Sequence, residues 1–478
     1  MAKRSTEGLS AKKEENISEW YEQVCLKAKL AEFSKVKGSP VIRPNGYSIW
    51  QKIQDYFNKN IVDKSGTRNA YFPLFIPESF FHREAEHAEG FSPEVAWIDK
   101  SLTGDGERLA IRPTSETVMY DSYSGWIRSY KDLPLKINQW CNVVRWETKA
   151  TRLFLRGREF LWQEGHCVYE TEEECDKETV WYINEYKRLA EELLAMPVIV
   201  GKKTQKEKFA GAKYTLTIEA FMPDGKALQC GTSHNLGQGF AKAFNINFEG
   251  KDKKTHLPWQ NSWGLSTRLI GGMVMTHSDD NGLILPPKVA RNKIVIIPIL
   301  IKGKEEAVLE KAKEIEDSLK KYNPILDDDT EYSPGFKFNK YELEGIPIRI
   351  EIGPRDLENE QVVLTRRDVK EKQDIKIKDI EKSVKENLEL MQKEMLEKAK
   401  KTLDEKIITA KDMKDLKKIV NNKQIAIAPF CGNTDCEDLI KDETGASSRC
   451  YIDDKVTKEK CIKCGKENAK LIYFSKSY

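Results

Sequence analysis

The sequence of 478 residues has 32% charged and 39% hydrophobic residues, a formal net charge of only +3 and a mean hydropathy of -0.60. Its length predicts two to four domains with a large core. No run of about 18 apolar residues occurs, so we expect no membrane partner. Residues 1–7 lack the apolar block of a signal peptide, which favours a cytoplasmic location. Because the net charge is low, any RNA partner must be held by local basic patches.

The first part of the chain combines helices with a run of strands. Helices are predicted at 14–33, 46–62, 116–130 and 172–194, and strands at 70–77, 108–112, 135–147, 160–169, 214–221 and 226–230. Several of the strands are separated by short connections that contain glycine. This pattern predicts an α+β domain on an antiparallel sheet over residues 1–285.

After Pro286 and Pro287 the pattern changes to alternating strands and helices. Strands are predicted at 294–301, 346–352 and 361–366, and a helix at 305–321. This alternation predicts a small α/β domain with a mostly parallel sheet at 286–400. A charged helix from residue 380 to about 403 leads to a last domain at 401–478.

Two predicted strands near the middle of the chain carry the chemistry of a nucleotide site. The first ends in Arg145 and Glu147, and the second carries Phe160, Trp162 and His166 after a basic loop. A guanidinium suits a phosphate and an aromatic face suits a base. The alternative is that Arg145 and Glu147 only pair with each other or with nearby charges on the sheet.

Two further segments combine hydroxyl, carboxyl and imidazole groups. Residues 112–117 lie at a strand-to-helix turn, where Thr114 or Ser115 could cap the helix and Glu116 suits its first turn. Residues 229–234 follow a predicted strand and end in His234. A single histidine beside glycines is more often structural than a ligand, so this segment alone leaves the role of His234 open.

The cysteines near the end of the sequence have the spacing of a metal site. Cys431, Cys436, Cys461 and Cys464 form two pairs that can supply four thiolates to a structural zinc ion. Cys450 lies between the pairs and is a possible substitute ligand. Free thiols or a nucleic-acid-binding ribbon are the alternatives. The ten cysteines otherwise fit a reducing compartment.

Three motifs in order give the sequence a family resemblance. A helix followed by a strand that ends at Pro73 is similar to motif 1 of class II aminoacyl-tRNA synthetases, residues 145–160 to motif 2, and residues 264–272 to motif 3. Over essentially its whole length the chain resembles the prolyl-tRNA synthetases of the archaeal and eukaryotic type. The resemblance implies a class II catalytic domain, an α/β anticodon-binding domain and a small zinc-containing α/β C-terminal domain.

The resemblance also implies roles for site residues. Arg145, Arg268 and Glu147 would be catalytic, with Arg145 on the α-phosphate, and adenine would stack between Phe160 and Arg268. The ATP-binding residues implied by the family are Arg145, Glu147, Arg156, Phe160, Gln229, Thr232, Ser266, Thr267 and Arg268. The proline-binding residues are Thr114, Glu116, Arg145, Trp162, Glu164, His166 and His234. Arg355 and Arg367 would contact the anticodon.

The implied activity is that of a proline–tRNA ligase. A homodimer would activate L-proline with ATP and Mg²⁺ to prolyl-adenylate and then transfer the prolyl group to the 3′ end of tRNA(Pro). The span from His166 to Cys230 is too short for a large editing insertion. Two alternatives remain at this stage: a class II synthetase for another amino acid, and a non-catalytic RNA-binding or regulatory paralogue that keeps the fold.

Overall fold

The structure is a computed structural model that describes residues 8–85, 94–103, 106–146 and 148–478. Its first part mixes short helices with long strands. The elements are α1 (Ile17–Lys27), β1 (Ala31–Glu32), β2 (Val41–Ile42), α2 (Pro44–Phe57), α3 (Asp63–Ser65), β3 (Arg68–Asn69), β4 (Phe75–Pro77), α4 (Glu78–Ala85), β5 (Trp97–Ile98), β6 (Leu109–Ile111), α5 (Glu116–Trp126), β7 (Leu135–Val144), β8 (Glu159–Tyr169), α6 (Glu172–Arg188), β9 (Ile199–Lys202), β10 (Tyr214–Phe221), β11 (Lys226–Gly237), α7 (Gly239–Ala243), β12 (Phe248–Glu249), β13 (Thr255–His256), β14 (Trp259–Ser266) and α8 (Arg268–His277).

The second part contains β15 (Ile294–Pro298), α9 (Glu305–Ser318), β16 (Ile325–Leu326), α10 (Pro334–Glu344), β17 (Ile348–Ile352), α11 (Pro354–Glu358), β18 (Gln361–Arg366), β19 (Lys372–Lys376) and α12 (Ile380–Lys406). The last part contains β20 (Ile407–Thr409), α13 (Met413–Asn421), β21 (Ile425–Phe430), α14 (Thr434–Thr444), β22 (Ser447–Val456) and β23 (Lys470–Ser477). Every helix of the described residues is too short or too polar to cross a lipid bilayer.

One sheet of eleven strands organises the first and last parts of the chain. Its order is β3–β7–β8–β14–β11–β10–β9–β22–β23–β21–β20. All pairings from β7 through β9 are antiparallel, which confirms the predicted antiparallel sheet. α6 packs on this sheet, and Tyr182 stacks on Trp263 of β14 with ring centroids 3.9 Å apart. The main hydrophobic core lies between the sheet and its helices.

Two predicted strands are wrong in their limits. Of the strand predicted at 70–77 only β4, Phe75–Pro77, is formed; β3 precedes the predicted range, and Pro73 between the two strands has no N–H to donate to a sheet. The strand predicted at 226–230 continues to Gly237, so residues 229–234 lie inside β11 rather than in a loop. Gly231 does not end this strand, because β10 and β14 pair with it on both sides.

Most helices occur where the sequence predicts them, with different ends. α1 is shorter than the predicted 14–33 because Asn16 accepts a hydrogen bond from the Glu19 N–H and caps its start. α5 ends at Trp126 rather than at 130. The helix predicted at 172–194 is α6 followed by a π-helical turn, Leu189–Leu193.

The second part has a mixed sheet, which corrects the prediction of a mostly parallel one. Its strand order is β16–β15–β17–β18–β19, in which the two pairings of β15 are parallel and those of β18 are antiparallel. The antiparallel pairings arise because β17, β18 and β19 follow one another through short connections. α12 runs through residue 400, where the sequence analysis set a domain boundary, and the domain limits therefore stay a prediction.

Candidate functional site

A cavity of about 280 Å³, here called the main cavity, lies over the central strands of the large sheet. Alternation along a strand directs Phe160, Trp162, Glu164 and His166 of β8 to the same face. β8 is paired with β14, so that Glu164 lies opposite Gly264 and Trp162 opposite Ser266. The lining residues are Thr114, Glu116, Arg145, Phe160, Trp162, Glu164, His166, Glu207, Phe209, Thr215, Gln229, Cys230, Gly231, Thr232, His234, Ser262, Trp263, Gly264, Leu265, Ser266 and Arg268.

The acidic end of the main cavity is held at the start of α5. The Thr114 hydroxyl donates to the Glu116 carboxylate, and Ser115 donates to Glu164 from its N–H at 3.1 Å and from its hydroxyl at 2.5 Å. Gln139 adds a third donor to Glu164 at 3.0 Å. Ser115 is the N-terminal cap residue of α5 and Glu116 lies in its first turn, as predicted, but Ser115 makes no side-chain capping bond to the helix.

Glu164 and His166 form a buried pair in this end of the cavity. His166 Nε2 lies 3.1 Å from Glu164 Oε2, and Tyr120 contacts the other ring nitrogen at 3.1 Å. Burial disfavours the charged Glu164, but hydrogen bonds from His166, Ser115 and Gln139 outweigh it and lower its pKa. Burial likewise opposes a charged His166, yet Glu164 and Glu116 raise its pKa. The pair is therefore stabilised as carboxylate and imidazolium.

Glu116, Glu164 and His166 bring one ligand atom each to within 4.8 Å of one another. Two carboxylates and one imidazolium leave a net negative charge, so this end of the cavity suits a compact cation such as an ammonium group.

His234 also lines the main cavity, but its protonation differs from that of His166. Its Nδ1 lies 2.9 Å from the Thr215 hydroxyl, and burial together with His166 lowers its pKa to about 3. His234 is thus neutral at pH 7.

The other end of the main cavity is cationic and aromatic. The Arg145 guanidinium lies 5.5 Å from the ring centroids of both Phe160 and Trp162. Arg268 donates to the Leu155 carbonyl and to the Gln229 carbonyl, each at 3.0 Å. Burial, reinforced by the positive charges of Arg145 and Arg156, lowers the pKa of Arg268. Such a cluster suits a polyanion beside a flat ring.

The predicted nucleotide residues are shared between two neighbouring cavities. Arg145, Phe160, Gln229, Thr232, Ser266 and Arg268 line the main cavity. Arg156 and Thr267 line a second cavity of about 570 Å³, for which Phe160 is a common wall. Glu147 lies outside the described residues, so its role and its pairing with Arg145 stay predictions.

Five lining residues were not predicted from the sequence, and two of them, Ser262 and Trp263, lie in β14 just before the predicted motif at 264–272. Glu207, Phe209 and Thr215 come from the segment around the start of β10, and the Phe209 ring centroid lies 4.8 Å from that of His234. No motif marks them in the sequence. They reach the cavity only because β10 pairs with β11.

The cysteine cluster has the geometry of a four-thiolate metal site. The sulfur atoms of Cys431, Cys436, Cys461 and Cys464 lie within 4.8 Å of one another, with Cys436 to Cys461 at 3.6 Å and Cys431 to Cys464 at 3.7 Å. Sulfurs at about 2.3 Å from a tetrahedral zinc ion are about 3.8 Å apart. The four residues therefore fit zinc. Cys450 packs against Gly201 instead, so its predicted role as a substitute ligand is wrong.

The two predicted anticodon residues differ in their exposure to solvent. Arg355 is exposed at the start of α11. Arg367 has a side chain only 1% exposed, and it is ion-paired with Asp279. This burial argues against an anticodon role for Arg367.

Comparison with known proteins agrees with this geometry. Three family models match: "tRNA synthetase class II core domain (G, H, P, S and T)" at residues 99–277, "Anticodon binding domain" at 293–387 and "Prolyl-tRNA synthetase, C-terminal" at 413–478. The chain is 49% identical over 469 residues to a proline–tRNA ligase of Alkaliphilus oremlandii, covering 97% of each chain. It is 48% identical over 468 residues to one of Clostridium botulinum strain 657, again covering 97% of each.

Solved structures of prolyl-tRNA synthetase from Cryptosporidium parvum also match. One, complexed with halofuginone and AMPPNP, has a TM-score of 0.93 and 42% identity, covering 99% of this chain and 98% of that one. Another, complexed with L-proline and AMP, has a TM-score of 0.93 at 41% identity and the same coverage. These findings confirm the predicted three-part fold and the predicted enzyme class. The chain belongs to the prolyl-tRNA synthetase family, the proline–tRNA ligases.

Proposed function

We propose that the main cavity makes prolyl-adenylate from L-proline and ATP, and that the prolyl group is then transferred to the 3′ end of tRNA(Pro). The single observation that carries this proposal is the division of one cavity into two charged ends. The buried Glu116–Glu164–His166 cluster suits an ammonium group, and the guanidinium groups of Arg145 and Arg268 suit phosphates. A small amino acid and a nucleotide therefore meet between them.

At the acidic end, the secondary ammonium of proline binds Glu116, with Thr114 as a second contact. Glu164 and His166 hold the charge of this end, and neutral His234 contacts the substrate without repelling its cation. Trp162 forms an apolar wall for the ring. The basis for these roles is burial, since a charge-assisted hydrogen bond is stronger where water is excluded.

At the cationic end, Arg145 binds the α-phosphate and adenine stacks between Phe160 and Arg268. Gln229, Thr232, Ser266, Thr267 and Arg156 complete the nucleotide contacts. A carboxylate oxygen of proline attacks the α-phosphorus and pyrophosphate leaves. The ribose hydroxyl of the tRNA end then attacks the carbonyl carbon, and AMP leaves. The protein contributes orientation and charge neutralisation, and Glu147 is proposed to assist at the adenine or the tRNA end. Mg²⁺, when bound, would neutralise phosphate charge.

The second part of the chain is proposed to bind the anticodon arm, with exposed Arg355 as one contact. The segment between His166 and Cys230 contains only α6, β9 and β10 besides the ends of β8 and β11, all of them in the sheet or packed on it. No separate editing module lies in this described segment. Since one lost apolar contact is worth only about 1–3 kcal/mol, we expect measurable activation of alanine without hydrolysis of alanyl-tRNA.

A homodimer in the cytoplasm is also part of the proposal. β3 is the terminal strand of the eleven-stranded sheet, and nearby Tyr71 is 72% exposed. An open strand edge beside an exposed aromatic side chain suits a subunit interface. Light scattering should give twice the chain mass of 55.0 kDa. A monomer at micromolar concentration would contradict this part of the proposal.

Structural zinc is proposed for Cys431, Cys436, Cys461 and Cys464. Elemental analysis should find one zinc ion per chain, and Cys461→Ser should lose it together with thermal stability of the C-terminal part. Cys450→Ser is the matched control, because it removes a buried thiol outside the cluster. Full zinc content in Cys461→Ser would disprove the site.

The central test is ATP–pyrophosphate exchange with the twenty amino acids supplied one at a time. We expect the strongest exchange with proline, and its loss in Arg145→Ala. Exchange with another amino acid would retain the fold and reject the proline pocket. No exchange with any amino acid in folded protein would reject the catalytic proposal.

A further inference from the structure

The Arg367 side chain makes an unusual contact for a residue of the anticodon-binding part of the chain. Its Nη1 and Nη2 donate to the two carboxylate oxygens of Asp279 at 3.0 and 2.6 Å. The Arg367 side chain is 1% exposed and that of Asp279 is 37% exposed. A two-point contact between arginine and carboxylate fixes orientation as well as distance.

The position of Asp279 connects this pair to the main cavity. α8 begins at Arg268, which lines the nucleotide end of the cavity, and ends at His277, two residues before Asp279. Ser278 ends the helix: its N–H donates the last helical hydrogen bond, to the Val274 carbonyl at 3.1 Å, and its own backbone is extended. One short helix, about 15 Å long, therefore has the nucleotide site at one end and the Arg367 contact at the other.

Arg367 also contacts α10, another element of the anticodon-binding part of the chain. Arg367 Nε donates to the Glu342 carbonyl at the end of α10, at 2.8 Å. Next to it, the Leu283 N–H donates to the Leu343 carbonyl at 3.1 Å. Gly282 allows this approach, because a Cβ there would lie 2.5 Å from the Leu343 Cα. Trp20 Nε1 donates to the Asp279 carbonyl at 3.0 Å, which anchors the catalytic side.

We propose that Asp279 is a positioning residue for the transfer step, which acts through Arg367 by fixing the anticodon-binding part relative to the main cavity. The proposal rests on the proposed function of tRNA aminoacylation. The 3′ end of a tRNA bound at its anticodon lies far from this junction. A small rotation at the junction therefore moves the 3′ end by several times the displacement of the junction itself. Misplacement of a reacting group by about 1 Å can cost about 100-fold in rate.

The test measures the transfer of the prolyl group and the activation of proline separately in the Asp279→Asn variant. Single-turnover transfer from preformed prolyl-adenylate to full-length tRNA(Pro) should slow about tenfold. Proline-dependent ATP–pyrophosphate exchange needs no tRNA and should stay within twofold of wild type. The dissociation constant of tRNA should also stay within twofold, because the anticodon contacts themselves are unchanged. A merely structural role would lower exchange and transfer together.

Three further variants complete the experiment. Lys370→Met is the matched control, since Lys370 lies 3.7 Å from the same carboxylate but makes no two-point contact, and it should transfer within twofold of wild type. Asp279→Glu should recover most of the transfer rate, because it keeps the charge and both acceptors. If Asp279→Asn does not fold, Arg367→Lys provides the same test with the positive charge retained.

Two outcomes would overturn the inference. Transfer by Asp279→Asn within twofold of wild type would show that the pair does not position tRNA. Equal loss of exchange and transfer would show that Asp279 has only a structural role. Failure of the wild-type protein in exchange would contradict the proposed function itself, and that result is distinct from both.

Discussion

Glu164 illustrates how single side chains determine the charge of the main cavity. It carries its charge with a side chain 3% exposed because Ser115, Gln139 and His166 surround it with donors. None of these donors is then free for a substrate. Glu116, whose carboxylate accepts only the Thr114 hydroxyl among the hydrogen bonds described here, remains the acceptor for an incoming cation.

We therefore expect Glu116→Gln to weaken proline binding selectively. Hydrogen bonds to charged groups contribute about 1.5–3 kcal/mol, so KM for proline should rise about 10- to 100-fold in pyrophosphate exchange. KM for ATP should stay within twofold, because Glu116 lies at the opposite end of the cavity from Arg268. Glu207→Gln is the control, since Glu207 is an exposed carboxyl at the same cavity. An unchanged KM for proline would exclude Glu116 as the ammonium acceptor.

A partly buried histidine outside the main cavity, His277, gives a pH dependence of stability. Burial lowers the pKa of His277 to about 4, with Lys13 and Lys398 acting in the same direction, while Nε2 donates to the Leu194 carbonyl. Because the folded pKa lies below the ordinary value, the unfolded chain binds more protons below about pH 6.5. The contribution of His277 is complete above that pH and is lost as pH falls toward 4.

The direction of this pH dependence of stability can be tested with His277→Gln in urea-induced unfolding. The wild type should lose about 2 kcal/mol of this contribution between pH 8 and pH 5, and glutamine does not titrate. The destabilisation caused by the substitution should consequently be smaller at pH 5 than at pH 8. A penalty that grows at pH 5 would mean that His277 is charged in the folded protein.

The site residues differ in how well the sequence could predict them. Arg145, Phe160 and Arg268 belong to motifs with fixed spacing, so their convergence in one region could be predicted. Phe209 and Thr215 could not, because only strand pairing brings them to His234. The ion pair of Arg367 could not be predicted for a related reason: an arginine in a loop gives no sign of a carboxylate partner 88 positions away in the sequence.

At the level of elements, successive side chains of β8 point to opposite faces of the sheet, so that one strand contributes both to the main cavity and to the packing behind it. One face carries the cavity residues, and on the other Gly165 leaves room for the Trp263 ring. The sequence predicted a strand at 160–169, close to the observed β8. It did not predict the full length of β11, because Gly231 resembles a strand end unless its neighbours are known.

Gly165→Ala should disturb this packing directly. An added Cβ would lie 2.2 Å from the Trp263 ring, so β8, whose other face lines the main cavity, would have to shift. Overpacking of this kind costs about 1–3 kcal/mol, measurable as a lower urea midpoint. We also expect a weaker apparent affinity for proline. Gly335→Ala, where no atom lies within 4 Å of the added Cβ, is the control and should change neither quantity.

In the whole molecule, a buried ionic triad joins the last part of the chain to the catalytic sheet. Glu219 of β10 accepts from Lys203 at 2.6 Å and from Arg449 of β22 at 2.9 Å. All three side chains are at most 8% exposed. Lys203 and Arg449 lower the pKa of Glu219 against the effect of burial, so the carboxyl is charged. Removal of its single negative charge leaves two buried cations together.

The two substitutions in this triad should therefore differ in cost. Glu219→Gln should destabilise the protein by about 3–5 kcal/mol, since both cations lose their partner. Arg449→Met leaves the Lys203–Glu219 pair intact and should cost about 1–3 kcal/mol. Urea unfolding of both variants measures the difference. An equal or larger cost for Arg449→Met would mean that the triad is held together mainly by Arg449.

The eleven-stranded sheet has a consequence for biosynthesis. β23 inserts beside β22 and β21 and also pairs in parallel with β11, where Lys226 lies opposite Lys476 and Ala227 opposite Ser477. A ribosome must therefore have made residue 477 before the strand that carries Gln229 and His234 gains its last neighbour. Until then the nascent chain holds an incomplete sheet edge, and pairings this distant in sequence form slowly. Catalytic competence should consequently appear only after residue 477 has been made and β23 has paired.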